Sequence, residues 1–441
     1  MGDLTRFEML IDGERCAAAD GRWFPSVNPA SEELWAEFPD AGAGDVDRAM
    51  RAADRAFRTG PWPAMSARER GKTLRRVAEA IGPHAEELGR IETTDSGKLL
   101  RETTWQARNL MEVYDYYGGL ADKVQGDLPP SDPPAPLMMV VREPLGVVGA
   151  VVPWNSQLHL AAFKIAPALA AGNTVVLKAS EDASAAVVAF ARALEDAGLP
   201  PGVVNVVTGG AECGQALVSH PLVRRVSFTG GVETARKIIP QTANNIAMMS
   251  LELGGKSPVV VFDDADLESA VNGVTAAIFA ASGQSCAAGS RLLVQHGIRE
   301  RFLERLVERT RSIRIGDPMD PETQMGPLAT RAQRDRIEQL LAAAIDGGGR
   351  ILAGGGRPAG LDRGFYFEPT IVAFDRQDAG LVRQELFGPV LSVLGFGAEE
   401  EALALAQDTD YAFAGGVFAQ DFARAYRVAR ALPAGRVWVN T

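Results

Sequence analysis

The chain has 441 residues, of which 46% are hydrophobic and 23% charged, and its formal net charge is −11. This length exceeds what one hydrophobic core usually serves, so we expect two or more domains with the composition of a soluble globular enzyme. The acidic balance argues against nucleic acid or an anionic membrane as the main partner.

Cysteine and histidine are scarce. The chain has three widely separated cysteines, Cys16, Cys213 and Cys286, and four histidines. Because none of these shows metal-ligand spacing, we predict neither a disulfide framework nor a metal site. Residues 1–6 carry no basic stretch followed by an apolar run. We therefore expect no signal peptide, no membrane span and a cytoplasmic location.

The N-terminal third is predicted to be a β-hairpin followed by helices. The dipeptide Asp12-Gly13 lies between two short apolar runs and is a strong turn signal. From residue 45 to 119, apolar residues recur every three or four positions, which predicts helices. A proline-rich stretch at 128–136 then breaks the helical pattern.

Strand-like runs and helical patterns alternate from residue 147 onward. The predicted strands are 147–152, 174–178, 203–207, 225–229, 258–262 and 291–295. The predicted helices are 158–170, 183–197, 212–219, 265–281 and 300–313. Such alternation predicts mostly parallel sheets with helices on both faces. Two α/β domains joined near Gly254-Gly255 fit the pattern best.

Cys286 is a candidate nucleophile. It lies at positions 283–289 in a run of small residues with the sequence GQSCAAG. Small neighbours let a substrate approach the sulfur, and a thiolate is strongly nucleophilic even when little of it is ionised. A lone cysteine among small residues is also typical of a packed core, so the interpretation depends on the other motifs.

Two further residues complete a chemically coherent set. Glu252 lies between leucines, directly before a glycine pair, and a carboxylate desolvated in this way suits a general base. Asn155 ends the sequence PWN after the first strand of the alternation and can offer its side-chain N–H to an oxyanion. Taken singly, Glu252 is a charge at a strand end and Asn155 a turn residue. Together with Cys286 they predict acyl chemistry at an aldehyde or ester carbon.

These segments, in this order and spacing, resemble the NAD(P)-dependent aldehyde dehydrogenase superfamily from about Phe24 to Thr441. Further landmarks of the resemblance are APALAAGNTVVLK at 166–178, FTG at 228–230 and ELFGP at 385–389. The fold class it implies is α/β, with two Rossmann-like domains for nucleotide binding and catalysis. A small oligomerisation strand region would accompany them, and the C-terminal segment of the family would be absent.

The resemblance also implies domain limits and an assembly. Residues 1–124 and 144–253 would form the nucleotide-binding domain, 125–143 the bridging oligomerisation segment and 254–441 the catalytic domain. Relatives continue past Thr441, so we expect a homodimer or homotetramer weakened by the absent segment. The alternative left open is a shortened, weakly active or inactive family member with a structural or binding role.

The implied activity is the oxidation of a small-molecule aldehyde to its carboxylic acid with NAD. Cys286 would form a thiohemiacetal whose oxyanion is held by Asn155, and loss of hydride would leave a thioester. Glu252 would activate the hydrolytic water; the subclass that uses coenzyme A usually lacks this base. Lys164 matches a lysine that the family places near Glu252 in a proton path, although a lysine on an apolar helix is more often a surface residue.

The cofactor-binding residues implied by the resemblance follow predicted strands. Lys178 would contact the adenosine ribose, and Glu181 would accept a hydrogen bond from the 2′-OH of that ribose. Because Glu181 would repel a 2′-phosphate, the pair favours NAD over NADP. The alternative for this pair is a solvated charge pair at a helix start. Glu385 and Phe387 would contact the nicotinamide ribose and ring. The remaining cofactor residues are Pro153, Trp154, Gly209, Gly214, Phe228, Thr229, Gly230, Gly231 and Leu253.

Two local departures from the family pattern bear on ligands. Gly231 stands where many relatives have a serine, which removes one hydroxyl contact to phosphate. Ser156, Gln157 and His159 stand where many relatives have aromatic or apolar residues. We therefore predict a somewhat polar or roomy substrate pocket, and the identity of the aldehyde stays open.

Overall fold

The computed structural model describes residues 4–132, 134 and 136–441, which form two compact units. The first unit consists of the chain up to Val27, Leu34–Asp95 and Arg101–Glu252. The second consists of Asn28–Glu33, Ser96–Leu100 and Leu253–Thr441. The division between Glu252 and Leu253 lies next to the glycine pair at which the sequence predicted a junction.

The first unit carries ten strands and most of the first nine helices. Its strands are β1 Thr5–Arg6, β2 Met9–Ile11, β3 Glu14–Cys16, β4 Trp23–Val27, β5 Leu34–Pro39, β6 Val147–Val151, β7 Thr174–Lys178, β8 Val204–Val207, β9 Val223–Thr229 and β10 Met248–Glu252. The helices are α1 Ala43–Arg58, α2 Pro61–Ala64, α3 Ala67–Ile81, α4 Ala85–Ser96, α5 Leu100–Leu120, α6 Gln157–Ala170, α7 Ala185–Asp196, α8 Ala211–Ser219 and α9 Val232–Ile238.

A seven-stranded sheet with the order β10-β9-β6-β7-β8-β2-β3 forms the centre of this unit. The five strands from β10 to β8 are parallel, and β2 and β3 are antiparallel. The predicted hairpin is confirmed, with Asp12 and Gly13 at φ 59° and 79° in its two-residue turn. A separate three-stranded sheet, β1-β5-β4, was not predicted.

The strand order of the large sheet reverses beside β6. The chain passes from β6 to β7 to β8 in one direction and then returns to place β9 on the other side of β6. In parallel α/β sheets, ligands bind at such a reversal, outside the carboxyl ends of the strands. Strands β6 to β8 are rich in valine and almost entirely buried, as expected for a sheet covered on both faces.

The predicted helical region 45–119 consists of separate helices because local signals end each one. Gly60, with φ 85°, and Pro61 separate α1 from α2. At the start of α3, Ser66 Oγ accepts a hydrogen bond from the Glu69 amide while Ser66 N donates to the Glu69 carboxylate at 2.7 Å. The buried faces of α2 to α5 pack into one core with β6, β7 and β8.

The second unit is built around another seven-stranded sheet, in the order β13-β14-β15-β12-β11-β16-β17. Its strands are β11 Pro258–Val261, β12 Arg291–Gln295, β13 Arg350–Ala353, β14 Thr370–Ala373, β15 Val390–Phe396, β16 Ala414–Phe418 and β17 Arg436–Val439. Its helices are α10 Leu267–Phe279, α11 His296–Arg311, α12 Arg331–Asp346, α13 Gly380–Arg383, α14 Glu399–Gln407 and α15 Phe422–Ala431. Only β13 runs antiparallel to its neighbour.

Among the described residues of the bridging segment 125–143, the predicted strand region forms one isolated pairing. Asp127 and Val140 form an isolated antiparallel bridge, with N–H···O distances of 3.1 and 2.8 Å. Pro133 and Ala135, which belong to the predicted proline-rich break, lie outside the described residues. Within the described part of the chain, no helix is both long and apolar enough to span a membrane.

Candidate active site

The predicted site residues of the first unit gather at the carboxyl edge of its large sheet. Strand β6 leads into the loop that holds Asn155, β7 ends with Lys178, β9 ends with Thr229 and β10 ends with Glu252. Because these strands are parallel and share one sheet, their carboxyl ends lie along the same edge. Residues that the sequence separates by up to 97 positions therefore belong to one region of the unit.

The PWN loop connects β6 with α6. Pro153 and Trp154 are half-buried and Asn155 is buried, so the amide of Asn155 is held in a fixed setting. Helix α6 begins two residues later, at Gln157. A buried amide between a strand end and a helix start has the placement required of a preorganised oxyanion donor.

Lys164 is a buried residue of α6, not the surface lysine that its apolar helix allowed as an alternative. Its Nζ donates a hydrogen bond to Ser227 Oγ on β9 at 3.0 Å. Burial lowers the pKa of Lys164 to about 8, and the Glu252 carboxylate acts in the opposite direction. Lys164 therefore interacts electrostatically with Glu252 and can exchange a proton near neutral pH.

The expectation that Glu252 is desolvated among leucines is wrong, because its side chain is exposed. Two features of β10 explain this. It is the edge strand of the sheet, and successive side chains of a strand point to opposite faces, so Leu251 does not cover its neighbour. The Glu252 carbonyl accepts a hydrogen bond from Gly230 N at 3.1 Å. The carboxylate is thus anchored through its backbone and accessible to water.

Lys178 and Glu181 form an ion pair at the end of β7. Lys178 is buried, and its Nζ lies 2.9 Å from Glu181 Oε2 and 3.1 Å from the Ala179 carbonyl oxygen. The Glu181 side chain is half-exposed and precedes α7, which begins at Ala185, so it does not belong to the helix start. The pair presents one solvated carboxylate beside a buried cation, which suits recognition of ribose hydroxyls.

Glycines keep the helix starts beyond β8 and β9 open. Gly209 has φ +144°, and a Cβ there would meet Cys213 Cβ at 3.0 Å. Gly210 and Gly231 precede α8 and α9, and a Cβ at either would have no atom within 4 Å. A Cβ at Gly214 would touch only the Lys178 stem, at 3.6 Å. The free backbone N–H groups at such helix starts fit the pyrophosphate of a dinucleotide.

The FTG turn closes the end of β9. Phe228 and Thr229 are buried, and a Cβ on Gly230 would lie 2.6 Å from the Phe228 ring. Only glycine therefore allows the chain to fold back over its own phenylalanine and reach Gly231.

In the second unit, Cys286 lies on a turn held in an unusual backbone conformation. Three successive residues after α10, namely Ala281, Ser282 and Gly283, have φ of 49°, 54° and 71°. The Gln284 side chain fixes the turn, since its Oε1 accepts from Ala329 N at 2.9 Å. Strained backbone of this kind persists only where surrounding contacts enforce it, and it is concentrated at functional sites. Cys286 itself is half-buried.

Two close backbone contacts seat the Cys286 turn. A Cβ on Gly283 would lie 2.2 Å from the Gly388 carbonyl oxygen, and a Cβ on Gly255 would lie 2.6 Å from the Cys286 carbonyl oxygen. Neither position can accept a side chain without displacing backbone. The turn therefore packs on the glycine pair 254–255 and on the ELFGP segment.

The Glu385 carboxylate rests on the same glycine pair. Gly255 N donates to Glu385 Oε1 at 2.9 Å, and a Cβ on Gly254 would lie only 1.9 Å from Oε2. Burial raises the pKa of Glu385, and the Gly255 N–H and the Lys256 charge oppose that rise. Phe387 is half-buried with φ 58°, and Leu253 is also half-buried, so neither belongs to the interior core.

The site residues of the second unit lie just before the amino ends of three adjacent parallel strands. The glycine pair precedes β11, Cys286 precedes β12, and the ELFGP segment precedes β15. Because β15, β12 and β11 are adjacent in the sheet, these three segments meet at one edge. The other two cysteines show no such setting: Cys16 lies on β3, and burial raises the pKa of Cys213 to about 12.

Comparison with known proteins decides the family. The sequence model described as "Aldehyde dehydrogenase family" matches residues 16–441. The chain belongs to the aldehyde dehydrogenase family. A (Z)-2-((N-methylformamido)methylene)-5-hydroxybutyrolactone dehydrogenase of Acinetobacter baylyi is 48% identical over 99% of this chain and 89% of its own length. A betaine aldehyde dehydrogenase of Bacillus subtilis is 42% identical over 98% of this chain and 89% of its own length.

A solved structure agrees with the sequence relatives of this aldehyde dehydrogenase. The betaine aldehyde dehydrogenase of Staphylococcus aureus, crystallised in complex with NAD+, matches with a TM-score of 0.96 and 40% identity. The match covers 98% of this chain and 86% of that one. The predicted α/β fold class is confirmed. The prediction of an absent C-terminal segment is not borne out by these matches.

Two residues of this aldehyde dehydrogenase that the sequence reasoning missed support the ELFGP segment. Gln333 Nε2 donates to the carbonyl oxygens of Leu386 and Phe387 at 2.6 and 2.8 Å. Arg336, nearly one turn later on α12, donates to the carbonyl oxygens of Leu386 and Glu385 at 3.0 Å each. The polar face of α12 was the only signal in the sequence, and it does not reveal which loop that face meets.

Proposed function

We propose that this enzyme oxidises an aldehyde to its carboxylic acid with NAD, through a thiohemiacetal and a thioester on Cys286. The observation that carries the proposal is that the Cys286 turn and the Glu385 carboxylate both pack against the glycine pair 254–255. Gly255 backs onto the Cys286 carbonyl, and both glycines contact the Glu385 carboxylate. The nucleophile and a predicted cofactor contact therefore have one rigid support.

The residues divide the chemistry among themselves. The Cys286 thiolate adds to the aldehyde carbon, and the Asn155 amide with the Cys286 backbone N–H holds the resulting oxyanion. After hydride leaves the carbon, a thioester remains. Glu252 removes a proton from water, which attacks the thioester and releases the acid and the thiolate. The exposed Glu252 receives water directly, and the buried Lys164 accepts or returns a proton beside it.

NAD supplies the hydride acceptor when it is bound. Backbone N–H groups at the open starts of α8 and α9 would hold its pyrophosphate. Lys178 and Glu181 would hold the adenosine ribose, and Glu181 would disfavour the extra phosphate of NADP. Glu385 and Phe387 would position the nicotinamide end. The complex of the Staphylococcus aureus relative with NAD+ supports this assignment.

The test measures NADH formation by the purified chain with NAD+ and a panel of polar aldehydes. The panel begins with betaine aldehyde because several relatives are named for it. We expect Cys286→Ser to lower turnover by roughly a thousandfold or more while NAD+ binding, followed by protein fluorescence, is retained. Cys16→Ser is the matched control, since Cys16 is also a half-buried thiol. Wild-type turnover in Cys286→Ser would refute the nucleophile assignment.

Three features stay predictions for this enzyme. The first is the assignment of residues 1–124 with 144–253 to nucleotide binding and of 254–441 to catalysis. The second is assembly into a homodimer or homotetramer through the bridging segment. The third is a cytoplasmic location.

A further inference from the structure

Lys256 is a buried cation that the mechanism above does not use. It follows the glycine pair directly and is 1% exposed. Among the described residues, its Nζ has no hydrogen-bond partner. An ammonium group in this situation costs several kcal/mol of desolvation unless an opposite charge compensates it. We therefore expect a negatively charged group near Lys256 that stabilises its ammonium group electrostatically.

Glu385 is that opposite charge. Its carboxylate is fixed on the backbone of the two residues before Lys256, through the Gly255 N–H at 2.9 Å and the contact with Gly254. The effect is reciprocal, because Glu385 favours the charged form of Lys256 and Lys256 favours the charged form of Glu385. The other charge acting on Lys256 is Arg291 of β12, which is repulsive.

Arg336 does not replace Lys256 in this arrangement. It also favours the ionised form of Glu385, but its guanidinium donates to the backbone carbonyls of Glu385 and Leu386. Arg336 thus fixes where the segment runs, whereas Lys256 acts electrostatically on the charge that the segment carries. The aromatic side chain of Tyr411, from the loop before β16, is a further titratable group that interacts with Glu385.

We propose that Lys256 is a positioning residue that keeps the Glu385 carboxylate ionised and aimed at the ribose of the cofactor. The inference rests on the proposed function, because it takes Glu385 as a cofactor contact. An ionised carboxylate accepts two ribose hydroxyls at once, whereas a protonated one must use one oxygen as a donor. Lys256 itself need not touch the cofactor.

The experiment is a double-mutant cycle on the dissociation constant of NAD+ in the full chain. The variants are Lys256→Met, Glu385→Gln and the pair together, with Ser257→Ala as the control. Ser257 is buried next to Lys256 and also has an unbonded hydroxyl within the described residues, but it carries no charge. We expect Lys256→Met to weaken NAD+ binding about tenfold, with a smaller change in kcat, and to have little further effect when Glu385 is already Gln.

The pH dependence of NAD+ affinity distinguishes a positioning role of Lys256 from a role in packing alone. Burial lowers the pKa of Lys256 to about 7, with Arg291 adding to the effect and Glu385 opposing it. The wild-type enzyme should therefore lose NAD+ affinity as pH rises through about 7, because the neutral amine no longer attracts the Glu385 carboxylate, ionised at this pH, and so no longer holds it in place. Lys256→Arg keeps the charge at all these pH values, so it should restore affinity and remove the pH dependence; it also provides a test if Lys256→Met fails to fold.

The outcomes distinguish the inference from the function on which it rests. If Glu385→Gln leaves NAD+ affinity unchanged, the assignment of Glu385 as a cofactor contact is wrong. If Glu385→Gln weakens binding but the Lys256→Met effect is fully additive to it, only the positioning role of Lys256 is wrong. An effect of Ser257→Ala as large as that of Lys256→Met would also overturn the role, since it would trace the loss to packing.

Discussion

At the scale of the residue, the setting of Glu252 differs from that of the other proposed catalytic groups. Asn155 and Lys164 are buried, whereas the Glu252 side chain is exposed at the end of an edge strand. An exposed carboxylate is open to the water that it has to activate, and the backbone that carries it is held by the hydrogen bond that Gly230 N donates to the Glu252 carbonyl oxygen. The exposure therefore suits the hydrolytic half of the reaction better than the addition of Cys286 to the aldehyde.

This placement leads to a prediction about Glu252→Gln. The variant should form one equivalent of NADH rapidly and then turn over roughly 10²–10⁴-fold more slowly than the wild type, because only thioester hydrolysis needs the base. Stopped-flow measurement of NADH resolves the two phases. Glu79→Gln, at an exposed acid on α3 of the first unit, is the control. Absence of the initial burst would mean that Glu252 is needed before hydride transfer.

Asp95 is a second residue whose burial has a measurable consequence. It is fully buried near the end of α4, and its two carboxylate oxygens accept from Ser26 Oγ at 2.6 Å and Ala185 N at 2.9 Å. Burial raises the pKa of Asp95 from 3.8 to about 6, despite the hydrogen bonds from Ser26 and Ala185. The folded chain therefore binds this proton more tightly than the unfolded chain.

The sign of the resulting pH dependence follows from linkage. Between pH 3.8 and about 6 the folded state keeps the Asp95 proton and the unfolded state loses it, so the contribution of Asp95 to the free energy of unfolding falls as pH rises, by about 3 kcal/mol. Asp95→Asn should remove this slope. Urea unfolding midpoints of both proteins at several pH values measure it, and identical pH profiles would contradict the assignment.

At the scale of the element, the Cys286 turn is held by close backbone contacts and not by a regular helix or strand. Its three left-handed residues follow α10, and Gly283 is the one whose Cβ would collide with backbone, 2.2 Å from the Gly388 carbonyl oxygen. The turn therefore packs closely against the ELFGP segment at Gly283. Because no side chain fits between them, Gly283 should matter to the position of the nucleophile three residues later.

We expect Gly283→Ala to impair both stability and activity. The positive φ costs an alanine roughly 1–2 kcal/mol, and the collision adds to this. The unfolding midpoint should fall, and kcat should fall because the sulfur is displaced. Gly380→Ala is the matched control in the same unit, since a Cβ there meets nothing within 4 Å and its φ is not positive. Equal behaviour of the two variants in unfolding and turnover assays would contradict the packing argument.

At the scale of the whole molecule, the bridging segment carries several strongly exposed apolar side chains. Leu128, Leu137, Met139 and Val141 are 65%, 70%, 69% and 71% exposed. Exposed apolar side chains are typical of interaction surfaces where they adjoin one another. Among the described residues of the segment, Asp127 and Val140 form an isolated bridge and not a complete strand pair, and a short pair of this kind can be extended by another strand.

We therefore predict self-association of the chain through this segment. Light scattering should give a mass of two or four times 46.9 kDa. Val141→Asp should lower that mass, because it places a charge in the apolar surface. Ile246→Asp, at an exposed apolar residue outside the segment, is the control and should not change the mass. A wild-type mass of 46.9 kDa would rule out the prediction.

The sequence by itself determined the local features of this protein. The Asp12-Gly13 turn, the valine-rich strands and the helix starts each depend on a few neighbouring residues, which periodicity and turn chemistry describe. The motif around Cys286 was equally visible, because small residues beside a nucleophile are a local pattern. The order of the motifs along the chain then sufficed to indicate the family.

Only the tertiary structure decided which of these features meet. The exposure of Glu252 depends on β10 being the edge strand, and this follows from strand order and not from the leucines beside it. Gln333 and Arg336 hydrogen-bond to the ELFGP segment about 50 positions away. Lys256 interacts electrostatically with the Glu385 carboxylate 129 positions away. Local periodicity carries no information about such pairings, because parallel sheets bring together loops whose separation in the chain is set by the intervening helices.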